Sequence, residues 1–176
     1  PTEAAGKFGI GNLLFQDGMV VAQSAGELAV FPQLEQMRAE MDRRLKANPN
    51  DPDGLLDRGD MLQDEGKLKE AVADYKHAEK NMPADAAKAE GLRRRVRERL
   101  HRAYTELLRR DFAGSEGVLP EYAALCESYI DPNESPDDPA GHQAKVADRR
   151  RVYLSLLAKG REGQGRLDEA FDHYLA

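Results

Sequence analysis

Residues 51–83 read DPDGLLDRGDMLQDEGKLKEAVADYKHAEKNMP, and the prolines that bracket them, Pro49 and Pro83, stand 34 positions apart. Apolar residues recur at helical spacing on both sides of Glu65-Gly66-Lys67, a tripeptide suited to ending one helix and letting another begin. The spacing predicts helices over about 52–65 and 68–81. Leu55 and Leu62 give the first helix its bulk. Gly59, Ala71 and Ala78 are small where two helices must approach, and Tyr75 is large enough to fill the layer between hairpins. A helix pair this short cannot bury its own apolar face, so further units of the same kind are expected to stack on it.

The flanking sequence supplies them. Leu34, Met37, Met41 and Leu45 line one face of a helix that Pro32 starts and Asn48-Pro49 stop. After Pro83, Asp85 is placed to cap a helix over about 86–110 with a stripe of Leu92, Val96, Leu100, Ala103, Leu107 and Leu108. Its partner, over about 116–130, turns Val118, Tyr122 and Leu125 inward and tolerates Pro120 near its start. Tyr122 stands where Tyr75 does. IDPNESPDDPAGH follows as a long acidic, proline-rich loop. A last unit opens over about 140–162 and turns at Gly163-Gln164-Gly165, after which Leu167, Ala170 and Tyr174 repeat the spacing of Leu68, Ala71 and Tyr75. Tyr75 to Tyr122 is 47 positions and Tyr122 to Tyr174 is 52, so the array is irregular.

Counted from Pro52 as position 1, Leu55, Gly59, Leu62, Gly66, Ala71, Tyr75, Ala78 and Pro83 occupy the positions that define the tetratricopeptide repeat, which this stretch resembles. The resemblance implies a mostly α fold, a tetratricopeptide-like α-α superhelical array with long irregular helices. Its repeats fall at about 50–83, 86–130 (degenerate) and 140–176 (truncated). Tyr122, Ala170 and Tyr174 would continue the packing of the first repeat. The resemblance also implies a peptide groove lined by the first helix of each repeat. By position the first repeat would offer Asp53, Leu56, Asp60, Gln63 and Asp64, and the third Val152, Ser155, Lys159 and Glu162. An acidic start to that groove favours a basic or amine-bearing peptide. The paired basic residues of chaperone-binding members are not evident.

Residues 8–31, FGIGNLLFQDGMVVAQSAGELAVF, differ in kind. Short apolar runs broken at Gln16-Asp17-Gly18 and Ser24-Ala25-Gly26 predict a three-stranded meander, too small to stand without support. GNLLFQDGMVVAQSAGELAVF resembles the closing strands of a quinoprotein-like β-propeller; a small hairpin packed on the first helices is the plainer alternative. The expected domains are therefore 1–31, a propeller-like β segment, and 32–176, the helical array. One partial blade cannot enclose a quinone, so no cofactor is expected here. The chain opens PTEAAGKFG without an initiating Met and ends GRLDEAFDHYLA partway along a helix; both ends suggest a piece of a longer protein. The propeller resemblance implies an extracytoplasmic parent, whereas the chain itself carries no signal of compartment.

Composition narrows the function classes. The chain has 176 residues, 40% hydrophobic and 33% charged, with 6% aromatics and a formal net charge of −6. That balance suits an elongated helical array and weighs against nonspecific binding of nucleic acid. No run approaches a membrane span. His77, His101, His142 and His173 form no pair at metal-ligand spacing, and Cys126 has no neighbouring base, so neither a metal nor a catalytic residue is assigned. Asp131, Asn133, Ser135 and Asp137 alternate like calcium ligands, but Pro136 replaces the turn glycine and His142 the bidentate glutamate. The run GLRRRVRERLHR places Arg93, Arg94, Arg95, Arg97, Arg99 and Arg102 around one helix, most simply as a solvated or salt-bridged face answering the acidic first repeat. The leading expectation is a non-catalytic interaction or scaffolding module binding a protein or peptide. The rivals are a structural spacer packing on a propeller or a second copy, and an accessory part of an enzyme whose active site lies outside this chain.

Overall fold

The computed structural model describes the backbone of residues 12–16, 19–23, 28–32, 34–128 and 139–176. The turns at 17–18 and 24–27 and the acidic loop at 129–138, with its calcium-like alternation, lie outside the described residues. The chain divides into two compact units, Pro1–Pro49 and Asn50–Ala176.

In the first unit, β1 (Asn12–Gln16), β2 (Met19–Gln23) and β3 (Leu28–Pro32) form an antiparallel sheet in that order. The registers Leu14↔Val21 and Val21↔Val30 stack β-branched and aliphatic residues across the strands. Leu13, Leu14 and Phe15 are consecutive and all more than half exposed, so apolar side chains face outward from both sides of the sheet. The helix α1 (Leu34–Ala47) groups with this unit, one element beyond the 31/32 division read from the sequence. It buries Met41 and leaves Leu34 and Met37 exposed.

The second unit is helical. Asp51 starts α2 (Pro52–Asp64): its carboxylate accepts from the Gly54 amide at 2.9 Å, and Pro52 fits the first turn, where no amide donor is needed. α3 (Leu68–Lys80) folds back on α2. The Tyr75 ring is fully buried and lies over Gly59, where a Cβ would stand 2.3 Å from a ring carbon. Arg58 and Asp74 clamp the two helices with a two-toothed ion pair, both contacts at 2.6 Å. Asp85 caps α4 (Ala86–Arg110) through the Lys88 amide at 2.8 Å, and α4 packs on α3 and α2.

The helix expected from residue 116 begins differently. A 3-10 turn over Ala113–Val118 precedes α5 (Leu119–Ser128), because two glycines weaken the helix there and Pro120 fits only its first turn. Tyr122 is fully buried, though on partners unlike those of Tyr75: its ring meets Tyr104 at 5.7 Å, Tyr153 at 5.6 Å and His101 at 5.4 Å. The Thr105 hydroxyl donates to the His101 carbonyl at 2.8 Å, which leaves Tyr122 to donate to Thr105 at 2.7 Å. α6 (Pro139–Gly163) packs on α4 and α5, and α7 (Leu167–Leu175) packs on α6.

The hairpins α2–α3 and α6–α7 share one turn, bond for bond. Gly66 donates to the Gln63 carbonyl and Lys67 to that of Leu62; Gly165 donates to Glu162 and Arg166 to Arg161. Each donor and acceptor of the second turn stands 99 positions after its counterpart, and both glycines take the left-handed φ this turn requires, 77° and 75°. Ala170 is buried like Ala71, but Tyr174 is 54% exposed where Tyr75 is fully enclosed, which corrects its expected packing role. The residue 99 positions after Gly59 is Ala158. A methyl thus stands where Gly59 leaves room for the Tyr75 ring, and the Tyr174 hydroxyl reaches Glu162 at 3.2 Å.

Candidate functional site

Two helical faces were expected to offer ligand contacts, one acidic on α2 and one mixed on the later half of α6. Most of the α2 face is engaged by other residues of the protein. Leu56 is fully buried in the core, which removes it from any peptide surface. Asp53 accepts from Arg95 of α4 at 2.8 Å. Asp60 accepts from the Tyr75 hydroxyl at 2.8 Å and from Arg99 at 3.3 Å. Gln63 lies 3.2 Å from the same hydroxyl. Burial and the Asp60 carboxylate both hold that phenol well above its ordinary range. Only Asp64 of the five projects freely.

The arginine run supplies much of that engagement. Arg93 and Arg94 reach Glu90, Arg95 reaches Asp53, Arg97 lies 3.7 Å from Glu79, Arg99 bridges Asp60 and Glu98, and Arg102 reaches Glu98. Those on the α2 side answer its carboxylates, and the rest pair along α4 itself or with α3. Two carboxylates of α2, Asp53 and Asp60, are thus paired by arginines of α4.

The later face remains open. Val152, Ser155 and Lys159 of α6 line one cleft of about 410 Å³ with Leu156, Arg109 from the end of α4, and Arg151. Val152 and Ser155 are partly exposed, and the floor is Leu156, which is 7% exposed. Glu162, the fourth residue expected here, stands outside the cleft and bonds Tyr174. Three cations and no carboxylate line the wall. Arg151 meets Asp148 at 2.9 Å in a solvent-exposed pair, whereas Arg109 and Lys159 form no ion pair among the described residues. Lys159 is marked by its position and Arg151 adjoins Val152 on the same helix, whereas Arg109 joins them only through the packing of α4 on α6.

Two other hollows differ in kind. The one on α3 presents Lys69, Lys76, His77 and Lys80: Lys69 donates to the Gly114 carbonyl at 3.2 Å, Lys76 to Glu121 at 2.7 Å and His77 lies 2.9 Å from Asn50, while Lys80 forms no ion pair among the described residues. The one between α3, α4 and α5 has balanced charge, with Lys76 and Arg97 facing Glu79 and Glu121. Lys76 and the Tyr104 hydroxyl bond Glu121 and hold its carboxyl below the usual range. Cys126 is buried, and burial pushes its thiol up to about 11, the opposite of what a nucleophile needs. Among the described residues no group of three or more His, Cys, Asp or Glu is placed to hold a metal, and no helix is long and apolar enough to cross a membrane. Comparison with family models, curated proteins and solved structures finds no match for this chain.

Proposed function

We propose that the chain is a non-catalytic protein-interaction module, a tetratricopeptide-like array in which α2, α4 and α6 serve as first helices. It takes an acidic peptide segment in the cleft between α4 and α6. The observation that carries this reading is the cleft itself: Arg109, Lys159 and Arg151 around an apolar floor, with no carboxylate in the wall, on a chain whose net charge is −6. The shared turns of the two hairpins support the repeat reading. The sign of the ligand is reversed from the sequence expectation, because α4 uses up the acidic face and leaves the basic one.

Anisotropy of labelled Asp/Glu-rich peptides at low salt tests the proposal. Binding is expected to weaken on raising salt, to fail for Lys-rich peptides, and to be lost in Arg109→Glu and Lys159→Glu. Acidic peptides that bind no better than basic ones, or equally well to both variants, would remove this reading.

The sheet favours a second role for the first unit. Its outward apolar residues on both faces suit an element that leans on further β-structure, as the propeller resemblance implies. Proteolytic removal of residues 12–32 is then expected to leave the melting of the helical unit unchanged; loss of its cooperative transition would show that the sheet instead belongs to the helical core.

A further inference from the structure

The cations of the α4–α6 cleft outnumber what a carboxylate can use. Arg151, Ser155 and Lys159 follow one another at four-residue spacing on α6, so they fall on one side of the helix with the half-buried Ser155 a turn from each charge. Arg109, in the last turn of α4, joins them from the neighbouring helix. Arg109 and Lys159 form no ion pair among the described residues. Arg151 has Asp148, in a pair whose side chains are 78% and 66% exposed, and such a pair gives way at little cost.

A glutamate side chain brings one charge and two oxygens, which a single guanidinium fork satisfies. It would leave the other cations of the wall unanswered. A phosphoryl group carries a charge of about −1.5 to −2 and three strong acceptor oxygens, enough to engage both arginines and the lysine together. The rest of the lining shows how that group is carried. Val152 and Leu156, each next in sequence to a member of the row, make an apolar strip beside it. A free phosphate ion would leave the strip bare, whereas an apolar side chain next to a phosphorylated residue covers it. Nucleic acid fits poorly, because no aromatic ring lines the cleft for a base to stack on and the chain has a net charge of −6.

We infer that the cleft selects a phosphorylated serine or threonine flanked by an apolar residue over a glutamate in the same place. The selection rests on the acidic-peptide reading and narrows it. Three labelled peptides of one sequence serve as probes, with phosphoserine, glutamate or serine at the centre and leucine beside it. In anisotropy with the whole chain at low salt, the phosphoserine peptide is expected to bind about tenfold more tightly than the glutamate peptide, the worth of an additional charge-assisted contact, and the serine peptide most weakly. Arg109→Lys keeps the charge and removes one fork, so it should weaken the phosphoserine peptide about fivefold and the glutamate peptide, which still has Arg151, less than about twofold. Replacing the peptide's leucine by glycine should weaken the phosphoserine peptide about fivefold. Equal affinity of the phosphoserine and glutamate peptides would overturn the inference and leave the acidic-peptide reading standing; binding of neither would remove that reading and the inference with it. A single-stranded oligonucleotide that displaces the phosphoserine peptide as readily as unlabelled peptide does would also overturn it, since any phosphate backbone would then serve.

Discussion

Replacing Gly59 by Ala tests whether the α2–α3 hairpin is locked as described. The added Cβ would stand 2.3, 2.7 and 3.0 Å from three carbons of the Tyr75 ring, so the ring must leave its seat. A tyrosine buries about 150–250 Å². At about 25 cal/mol per Å² full exposure would cost about 4–6 kcal/mol. A ring swung out of its seat but still under α4 forfeits about half that burial, or about 2–3 kcal/mol. Loss of the hydrogen bond to Asp60 adds about 1 kcal/mol. Alanine in place of glycine inside a helix returns about 1 kcal/mol. The net expectation is a loss of about 2–3 kcal/mol, read by urea unfolding followed by helical circular dichroism. The sign should depend on Tyr75. Tyr75→Ala alone should cost about 3–5 kcal/mol, and adding Gly59→Ala to it should stabilise by about 1 kcal/mol, since only helix propensity remains. If Gly59→Ala stabilises the chain with Tyr75 in place, the ring does not sit over Gly59 and the packing argument fails.

Two further perturbations separate backbone from side-chain effects and burial from charge. Gly165 takes φ +75° with nothing within 4 Å of a built Cβ, so Gly165→Ala should cost about 1 kcal/mol through backbone strain alone and Gly165→Asn visibly less; equal stability of all three in urea would contradict the left-handed turn. Burial, with Arg149 and Arg102 nearby, lowers the His101 pKa below its ordinary 6.5, so as pH falls through that value the unfolded chain takes up the proton first. Stability is therefore fully present above about pH 6.5 and declines below it. His101→Gln should flatten that part of the decline between pH 7 and 5, whereas identical slopes in thermal melts of the two proteins would show that His101 is solvated.

The parts of this molecule that could be read from the sequence depend on neighbours along the chain. Asp51, Gly66 and Asp85 act within three or four residues of themselves, and the helices they bound lie close to where spacing put them. Tyr174 shows the limit of such reading. Its spacing from Leu167 and Ala170 reproduces Tyr75, yet whether its ring is enclosed depends on other helices: Ala158 stands where Gly59 makes room for Tyr75, and no helix covers α7 as α4 covers α3 among the described residues. The site shows the same limit with charge in place of volume. Asp53, Asp60 and Asp64 look like one acidic surface when α2 is read alone, because a helical projection contains only the helix itself. Arg95 and Arg99 lie about 40 positions later and become their partners only when α4 is laid across the hairpin. What a ligand would meet is the charge left after such pairing, so the open charge can have the opposite sign to the net charge of the chain, as Arg109 and Lys159 do here. Spacing along the chain can therefore nominate residues such as Val152, Ser155 and Lys159, but the charge they share a surface with follows from which helix packs beside them.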